Sequence, residues 1–451
     1  MLPETLTPPA PPRSQFHGLT FALALMNGLG ILAALLAVLA LGLLGGVSLL
    51  SPDSSAGAYS LAVLGWASAA VAVLLLPGLV YAVRRLSGRE KLAWSVANPR
   101  RVVRVLVILW PLLLGASLLA ARSNFTAWLL LAPLQILVVG IPLWFFLEFG
   151  RRKLTGARPQ QEWGVFSTGA VITMPLVFVL ESLTVIVVVS LAANAIWGQA
   201  ALAEELNRLA VRITSSNYDP EIIQRALLPL LQKPAVLFTI LMVSSGLVPL
   251  LEEFFKPLGM WALSKKKLSP AQGFNLGMIS GAAFALLESL GYLAAPAGSD
   301  TPLMALARVG SGLLHVTCSG LVGWGLAEAW TNGRYGRMVA GYFAAVALHG
   351  TWNLFGLLVG VVPFIDVTAG LVGFLRGLGV IAPYALGLMV LLLSGILFSM
   401  NLRLRRESAP AAITIETHEP VIPDPAATPA DEIPAPTGDS IKKEEYTDGI
   451  H

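Results

Sequence analysis

Two adjacent glutamates, Glu252 and Glu253, lie inside an otherwise apolar stretch that is long enough to cross a membrane, and Lys256 follows one helical turn later. Carboxylates are expensive inside a bilayer, and they usually have a partner or a task there. Three later apolar stretches carry further polar groups, namely Glu288, Arg308 with His315, and His349 with Asn353. This combination of carboxylates, imidazoles and an amide suits the activation of water.

Two kinds of chemistry fit this set. Two imidazoles and a carboxylate, here His315, His349 and Glu288, would bind a divalent metal such as zinc and lower the pKa of its bound water to about 7. Alternatively, a glutamate takes the proton from water without a metal, while histidine and asparagine stabilise an oxyanion. The sequence leaves both mechanisms open, and it has no His-Glu-x-x-His motif of the ordinary zinc proteases.

Helical spacing divides the roles within the set. His349 and Asn353 are four residues apart, as are Glu252 and Lys256, so each pair shares one helix face. Glu252 and Glu253 point about 100° apart around the helix axis, so they do not reach one point equally. We therefore expect one glutamate, Glu252, to act as the base and Glu253 to hold Lys256, Arg308 or another residue that supports the site.

The elements that position these groups are membrane-spanning helices. The chain has 451 residues, of which 55% are hydrophobic and only 12% charged, as in polytopic membrane proteins. A helix needs about 20 apolar residues to cross a bilayer. We expect an all-α bundle of about ten transmembrane helices, at roughly 18–48, 57–83, 103–121, 124–147, 164–195, 235–263, 271–294, 303–329, 338–361 and 379–402.

The charges are sorted by side. Lys and Arg cluster in every second connection, whereas the short connections between these clusters have almost none. This is the positive-inside distribution, and ten spans satisfy it in the cell membrane when both termini are cytoplasmic. The net charge of +4 therefore gives no reason to expect nucleic-acid binding. The single cysteine, Cys318, excludes an internal disulfide.

Depth in the membrane links the four stretches. At about 1.5 Å per residue, Glu252, His349, His315 and Glu288 lie roughly 16 to 25 Å from the predicted cytoplasmic ends of their helices. Scattered polar residues would have no reason to share one level, because successive helices run in opposite directions. We expect these groups to converge on one site.

These motifs resemble those of the PrsW family of intramembrane proteases, in the CAAX-protease and bacteriocin-processing superfamily. The resemblance covers about residues 235–361 and is carried, in order, by Glu252-Glu253-Phe254-Phe255-Lys256, Phe284-Ala285-Leu286-Leu287-Glu288, Arg308 to His315, and His349-Gly350-Thr351-Trp352-Asn353. It implies an endopeptidase that cuts membrane-anchored proteins within or near the bilayer. Its active-site residues would be Glu252, Glu253, Glu288, His315 and His349, and Asn353 completes our candidate set. The prenyl-protease branch has a histidine where this chain has Glu288, which argues against a prenylated substrate.

The rest of the chain divides by composition. We expect a cytoplasmic segment at 1–17, accessory helices at 18–196, an extracytoplasmic amphipathic segment at 197–234, the protease-like core at 235–361, a loop and last helix at 362–402, and a disordered acidic, Pro-rich cytoplasmic tail at 403–451.

A second class of function stays open, a transporter or non-catalytic scaffold with the same buried charges. Transporters often contain inverted repeats with paired broken helices. No such repeat is apparent, and the polar residues crowd into one third of the chain. Glu181, in the fifth span, is outside the motifs; it either neutralises Arg308 or Lys256 or marks a separate function. The sequence indicates no oligomeric state.

Overall fold

The computed structural model describes residues 18–49, 55–89, 98–122, 126–198, 204, 207–212, 234–293, 301–361 and 370–408. This part of the chain is helical and contains no strand, which confirms the predicted all-α class. Its α-helices are α1 (Gly18–Leu49), α2 (Ser55–Leu86), α3 (Pro99–Ala120), α4 (Ala132–Gly150), α5 (Pro159–Thr168), α6 (Met174–Trp197), α7 (Pro234–Met242), α8 (Val248–Phe255), α9 (Leu258–Trp261), α10 (Pro270–Leu293), α11 (Thr301–Asn332), α12 (Tyr335–Val361) and α13 (Gly370–Ser408). Three π-helical turns, π1 (Ala127–Leu131), π2 (Gly169–Thr173) and π3 (Val243–Leu247), connect successive helices.

Within the described ranges, ten helical runs are long and apolar enough to cross a membrane, as the sequence predicts. Several of them join shorter elements; Pro234–Trp261, for example, contains α7, π3, α8 and α9. The last helix differs from the prediction, since α13 is helical from Gly370 to Ser408. Residues 403–408, the first of the predicted tail, are therefore helical. Their arginines extend an apolar helix beyond the membrane core. The 1–17 segment, most of 197–234 and the tail after Ser408 lie outside the described residues.

Helices α10 and α11 form the centre of the bundle. Within their most apolar stretches, 89% of the α10 residues and 83% of the α11 residues are buried, against at most 44% in the other spans. A helix surrounded by protein has no lipid to face, so it tolerates polar residues that a lipid-facing helix does not. The two central helices accordingly carry Glu288, Arg308 and His315.

A stripe of small residues brings these two helices into backbone contact. Gly273, Gly277 and Gly281 recur every four residues along one face of α10. A Cβ atom on Gly277 would lie 2.1 Å from the carbonyl oxygen of Ser319, and one on Gly281 would lie 2.2 Å from that of His315. Small residues at this spacing let membrane helices approach closely. The contact places the end of α10 beside His315.

The π turns follow a rule that involves proline. Each ends two residues before a proline, at Pro133, Pro175 and Pro249. A proline in a helix has no N–H for the carbonyl four residues earlier, and its ring collides with that carbonyl. Widening the preceding turn relieves the collision. The turn π3 therefore sets the direction in which the following α8, with its two glutamates, enters the site.

One end of the bundle, which we call the basic end, gathers the starts of α1, α5, α10 and α12 with the ends of α2, α4, α9, α11 and α13. Polar bonds tie these ends together: Thr331 donates to the Leu268 carbonyl at 2.8 Å, and Asn401 donates to the Gly150 carbonyl at 2.6 Å. Glu328 accepts from Arg337 at 2.8 Å. The predicted clusters of lysine and arginine flank these bonds.

Candidate functional site

The ammonium group of Lys256 lies at the centre of the candidate site and is fully buried. Its Nζ atom is 2.8 Å from Glu252 Oε2, 2.5 Å from Glu253 Oε1 and 2.8 Å from His315 Nδ1. It also lies 4.6 Å from the ring centre of Phe284. Helical spacing explains both carboxylate contacts, because Glu252 and Glu253 precede Lys256 by four and three residues. Glu252 and Glu253 therefore both bind the Lys256 ammonium, although their side chains leave the helix in different directions.

The protonation pattern of His315 follows from its two partners. An ammonium group only donates, so His315 Nδ1 accepts from Lys256. The ring proton is therefore on Nε2, which donates to Glu288 Oε2 at 2.9 Å. A carboxylate in this position fixes the ring's tautomer and its orientation. Glu288 thus presents the lone pair of His315 Nδ1 to the centre of the site.

Arg308 holds Glu288 in place. Its Nη2 donates to Glu288 Oε2 at 2.7 Å, its Nε donates to Ser289 Oγ at 3.0 Å, and its guanidinium lies 4.6 Å from the ring centre of Tyr292. Only 7% of Arg308 is exposed. An arginine that snorkels to the membrane surface would be exposed at its tip. Arg308 is instead the buried counter-charge of Glu288.

His349 faces both glutamates from α12. Its Nδ1 and Glu253 Oε1 form a hydrogen bond of 2.9 Å, whereas its Nε2 is 3.7 Å from Glu252 Oε2. The rings of His315 and His349 lie nearly perpendicular, at 88°, with centres 5.1 Å apart. Because a carboxylate only accepts, Nδ1 carries the proton in that bond. The Nε2 lone pair therefore faces Glu252.

Three contacts hold helix α12 against the span Pro234–Trp261, which contains Glu252 and Glu253. Asn353 Nδ2 donates to the Ser244 carbonyl in π3 at 2.9 Å, and the Tyr342 hydroxyl donates to the Leu250 carbonyl at 2.8 Å. A Cβ atom on Gly350 would lie 2.2 Å from the Ser245 carbonyl oxygen, so glycine is needed for this approach. The amide of Asn353, predicted to be in the site, thus serves the helix pair that places His349.

Four of the predicted residues form a group that has the geometry of a metal site. One ligand atom each from Glu252, Glu253, His315 and His349 lies within 4.8 Å of every other, and all four residues are buried. The ligand set predicted from the sequence contained Glu288 with the two histidines. Glu288 lies outside this group because its carboxylate binds Arg308 and the far nitrogen of His315. The two glutamates of α8 take its place.

Comparison with known families identifies this part of the chain. Residues 221–382 match the model of a family described as PrsW family intramembrane metalloprotease. The chain carries a PrsW-family protease domain. It is therefore a protease, that is a hydrolase, and the ten apolar helices in its described residues make it a multi-pass membrane protein. No curated protein and no solved structure matches the chain.

One site residue lies outside the matched PrsW domain. Glu181 is in α6, which packs on α8, and its carboxyl group lies beside that of Glu252. From the sequence, its predicted partner is Arg308 or Lys256. The structure gives it a contact with Glu252 instead, while Arg308 pairs with Glu288. The accessory helices thus contribute a carboxyl group to the site of the PrsW domain.

Sequence reasoning missed the residues that bring the helices of the PrsW domain together. The four-residue spacing of the glycines in α10 is a known sequence signal for close helix packing, so these residues could have been found. Pro249 indicates an irregular turn before Glu252. The hydroxyl of Tyr342 gives no such signal, because its acceptor is a backbone carbonyl on a distant helix.

Proposed function

We propose that the PrsW domain hydrolyses peptide bonds of membrane-anchored proteins, with Glu252 as the general base that takes a proton from water. The observation that carries this proposal is the buried group of Glu252, Glu253, His315 and His349, whose ligand atoms lie within 4.8 Å of one another. A general base must lie within hydrogen-bond reach of the water that it activates. The two carboxylates and two imidazoles offer that reach from several directions.

The contacts of the two glutamates favour Glu252 over Glu253 as the base. Glu253 has no exposed surface, and Lys256 and His349 both bind its Oε1 atom. Glu252 is 5% exposed, and the gap of 3.7 Å between its Oε2 and His349 Nε2 exceeds a hydrogen bond. In the site without a metal ion, water held between these two atoms would have an acceptor on each side. Glu253 then orients His349.

The donor set fits a divalent metal ion such as zinc. Carboxylate oxygens and neutral imidazole nitrogens are its usual ligands. Glu253 Oε2 is buried without a hydrogen-bond partner in the described part of the chain, and the Nδ1 lone pair of His315 faces the centre. Glu253, His315 and His349 would hold the ion. When bound, a metal ion polarises a carbonyl group and lowers the pKa of water.

Lys256 opposes a second cation in the same place. Its ammonium group contacts three of the four candidate ligands: the carboxylates of Glu252 and Glu253, and Nδ1 of His315. A dication among these donors would repel the ammonium at short range. We propose that Lys256 gives up the contact with His315 when a metal binds and keeps its contact with Glu252. In this arrangement Lys256 keeps the carboxylate of the base ionised.

The depth of the site supports a substrate that is itself in the membrane. His315 is fourteen residues from the start of α11 and seventeen from its end, which is about 21 Å and 25 Å along the helix axis. A peptide bond cut here lies near the middle of the bilayer. We propose a membrane-anchored protein as the substrate and, from the lysine and arginine clusters, the cell membrane with both termini cytoplasmic.

The test is a cleavage assay with purified protein in liposomes that contain a single-pass candidate substrate. Glu252→Gln should reduce the cleavage rate about 100-fold or more, the usual contribution of a general base. Glu252→Asp keeps the charge near Lys256 but withdraws the carboxylate, and it should also lose most of the activity, because misplacement by about 1 Å costs roughly 100-fold. Glu328→Gln is the matched control, since it removes a buried carboxylate at the basic end.

Both variants at Glu252 must remain folded for the assay to count, as judged by their thermal unfolding in detergent. Cleavage by Glu252→Asp and Glu252→Gln at the wild-type rate would refute the role of the base. Metal analysis of the same preparations tests the ligand set independently of cleavage. A variant with His315→Ala and His349→Ala should contain less metal than the wild-type protein, and equal metal content in both would refute the ligand assignment.

A further inference from the structure

A cavity of about 470 Å³ at the basic end contains none of the protease-site residues in its wall and is strongly cationic. It is formed by the start of α1, the end of α2, the start of α5 and the connection after α9. Among the described residues, its wall carries no acidic side chain and four basic ones: Arg85, Arg158, Lys266 and Lys267. None of the four forms an ion pair with an acid in the described part of the chain. A cavity of this kind attracts an anion.

The cavity continues into an apolar groove of about 100 Å³ that follows α5. The two share the wall around Leu19, Arg85 and Leu263. The groove extends along α5 from Gln160 to Thr168, which is about 12 Å at 1.5 Å per residue. A ligand that fills both spaces has an anionic part at the end of the bundle and an apolar part among the membrane spans.

The side chain of Arg85 joins the two spaces, and its bonding is incomplete. Its Nε–H group is buried and has no hydrogen-bond partner among the described residues. A buried donor without a partner costs about 1 to 3 kcal/mol, so such groups usually bind a ligand or water. The first turn of α5 adds the positive end of its helix dipole to the same wall.

The nearest acid does not neutralise this wall. Glu162, one residue after Gln161, points to the other side, where Asn275 donates to its Oε1 at 2.6 Å and Arg151 lies 3.8 Å from its Oε2. Its charge is thus already balanced within the bundle. The four cations of the cavity remain available to an external anion.

We propose that this cavity and groove bind one anionic phospholipid, with its phosphate among the four cations and part of an acyl chain along α5. Basic pockets between membrane helices bind acidic head groups in this manner. The continuity with an apolar groove favours a lipid over a soluble phosphate, which has nothing to place there. The lipid links the accessory helices α1, α2 and α5 to the connection between α9 and α10, and its binding is independent of the proposed catalytic roles.

The test measures retained lipid by native mass spectrometry of the full chain from nanodiscs that contain phosphatidylcholine and phosphatidylglycerol. The wild-type protein should retain phosphatidylglycerol selectively. Lys266→Gln with Lys267→Gln should weaken retention about fivefold per charge, the factor that about 1 kcal/mol per basic residue represents. Lys265→Gln is the matched control, because Lys265 is exposed in the same connection but does not line the cavity.

Two further measurements separate a lipid from a soluble anion. Ala262→Trp fills the apolar groove and should lower retention while all four cations remain. Glycerol phosphate, which has the head group without an acyl chain, should fail to displace the retained lipid. Equal loss with Lys265→Gln, equal retention of both lipids, or displacement by glycerol phosphate would each overturn the proposal.

Discussion

The buried ammonium group of Lys256 gives the sharpest prediction about stability. Lys256→Met leaves a side chain of similar length and removes the charge that binds Glu252 at 2.8 Å and Glu253 at 2.5 Å. The attraction in each pair is about 6 kcal/mol at an effective dielectric constant of about 20. Lost hydration of the three ions offsets much of this attraction, at several kcal/mol for each ion.

The net effect is set by the carboxylates that remain. Breaking a buried ion pair by removing one partner typically costs about 3 to 5 kcal/mol, because the other charge stays buried and uncompensated. We expect Lys256→Met to lower the free energy of unfolding by about that amount. Replacing all three charged groups, with Lys256→Met, Glu252→Gln and Glu253→Gln together, should recover most of the loss, since no buried charge is then left unpaired.

The assay is unfolding of the purified protein in mixed micelles with increasing denaturing detergent, followed by the fluorescence of its 11 tryptophans. Lys265→Met is the control, because it removes an exposed lysine from the same region. Destabilisation of Lys256→Met by no more than the control would refute the reasoning. So would a triple variant less stable than Lys256→Met alone.

Three further changes test other parts of the structure. Glu288→Gln should weaken metal binding about 10- to 100-fold without abolishing it, because the carboxylate orients His315 and does not ligate; complete loss of metal in a titration would contradict this role. Gly277→Ala should destabilise the protein by about 1 to 3 kcal/mol or more, since the new methyl group meets the Ser319 carbonyl, whereas Gly291→Ala on the same helix meets nothing within 4 Å; equal unfolding midpoints would exclude the close contact. Glu181→Gln should preserve stability because the new amide can donate to the carboxylate of Glu252, whereas Glu181→Leu should lower stability. Equal unfolding midpoints for the two variants would contradict this prediction.

Much of the architecture follows from the sequence because lipid imposes simple rules. Length, apolar composition and the sorting of lysine and arginine predict ten helices, and the described chain contains ten runs of that kind. The positions of Glu252, Glu288, His315 and His349 along their helices also predict that the four residues share one level in the membrane. In the structure His315 contacts Glu288 at 2.9 Å. His349 lies between the two adjacent glutamates, 2.9 Å from Glu253 Oε1 and 3.7 Å from Glu252 Oε2.

The division of labour among these residues could not be predicted, because it depends on which atom faces which neighbour. Glu288 and Glu253 are both buried glutamates beside a histidine. Glu288 binds Nε2 of His315 and the guanidinium of Arg308. Glu253 belongs to the group of side chains that could bind a metal ion. The position of Lys256 at the centre likewise depends on the path of α8 after π3, which helical spacing alone does not give.

The burial of α10 and α11 has a consequence for how the protein is made. A segment enters the membrane during synthesis according to its own hydrophobicity, and Arg308 at the interior of α11 opposes that step. The two helices are neighbours in sequence, antiparallel, and joined by the contact of Gly273, Gly277 and Gly281 with α11. If the two helices enter the membrane together as a hairpin, Glu288 already neutralises Arg308. No isolated charge then has to enter the membrane. The ion pair that orients the histidine would then also serve biogenesis, and a protein unable to form it should insert into the membrane less efficiently.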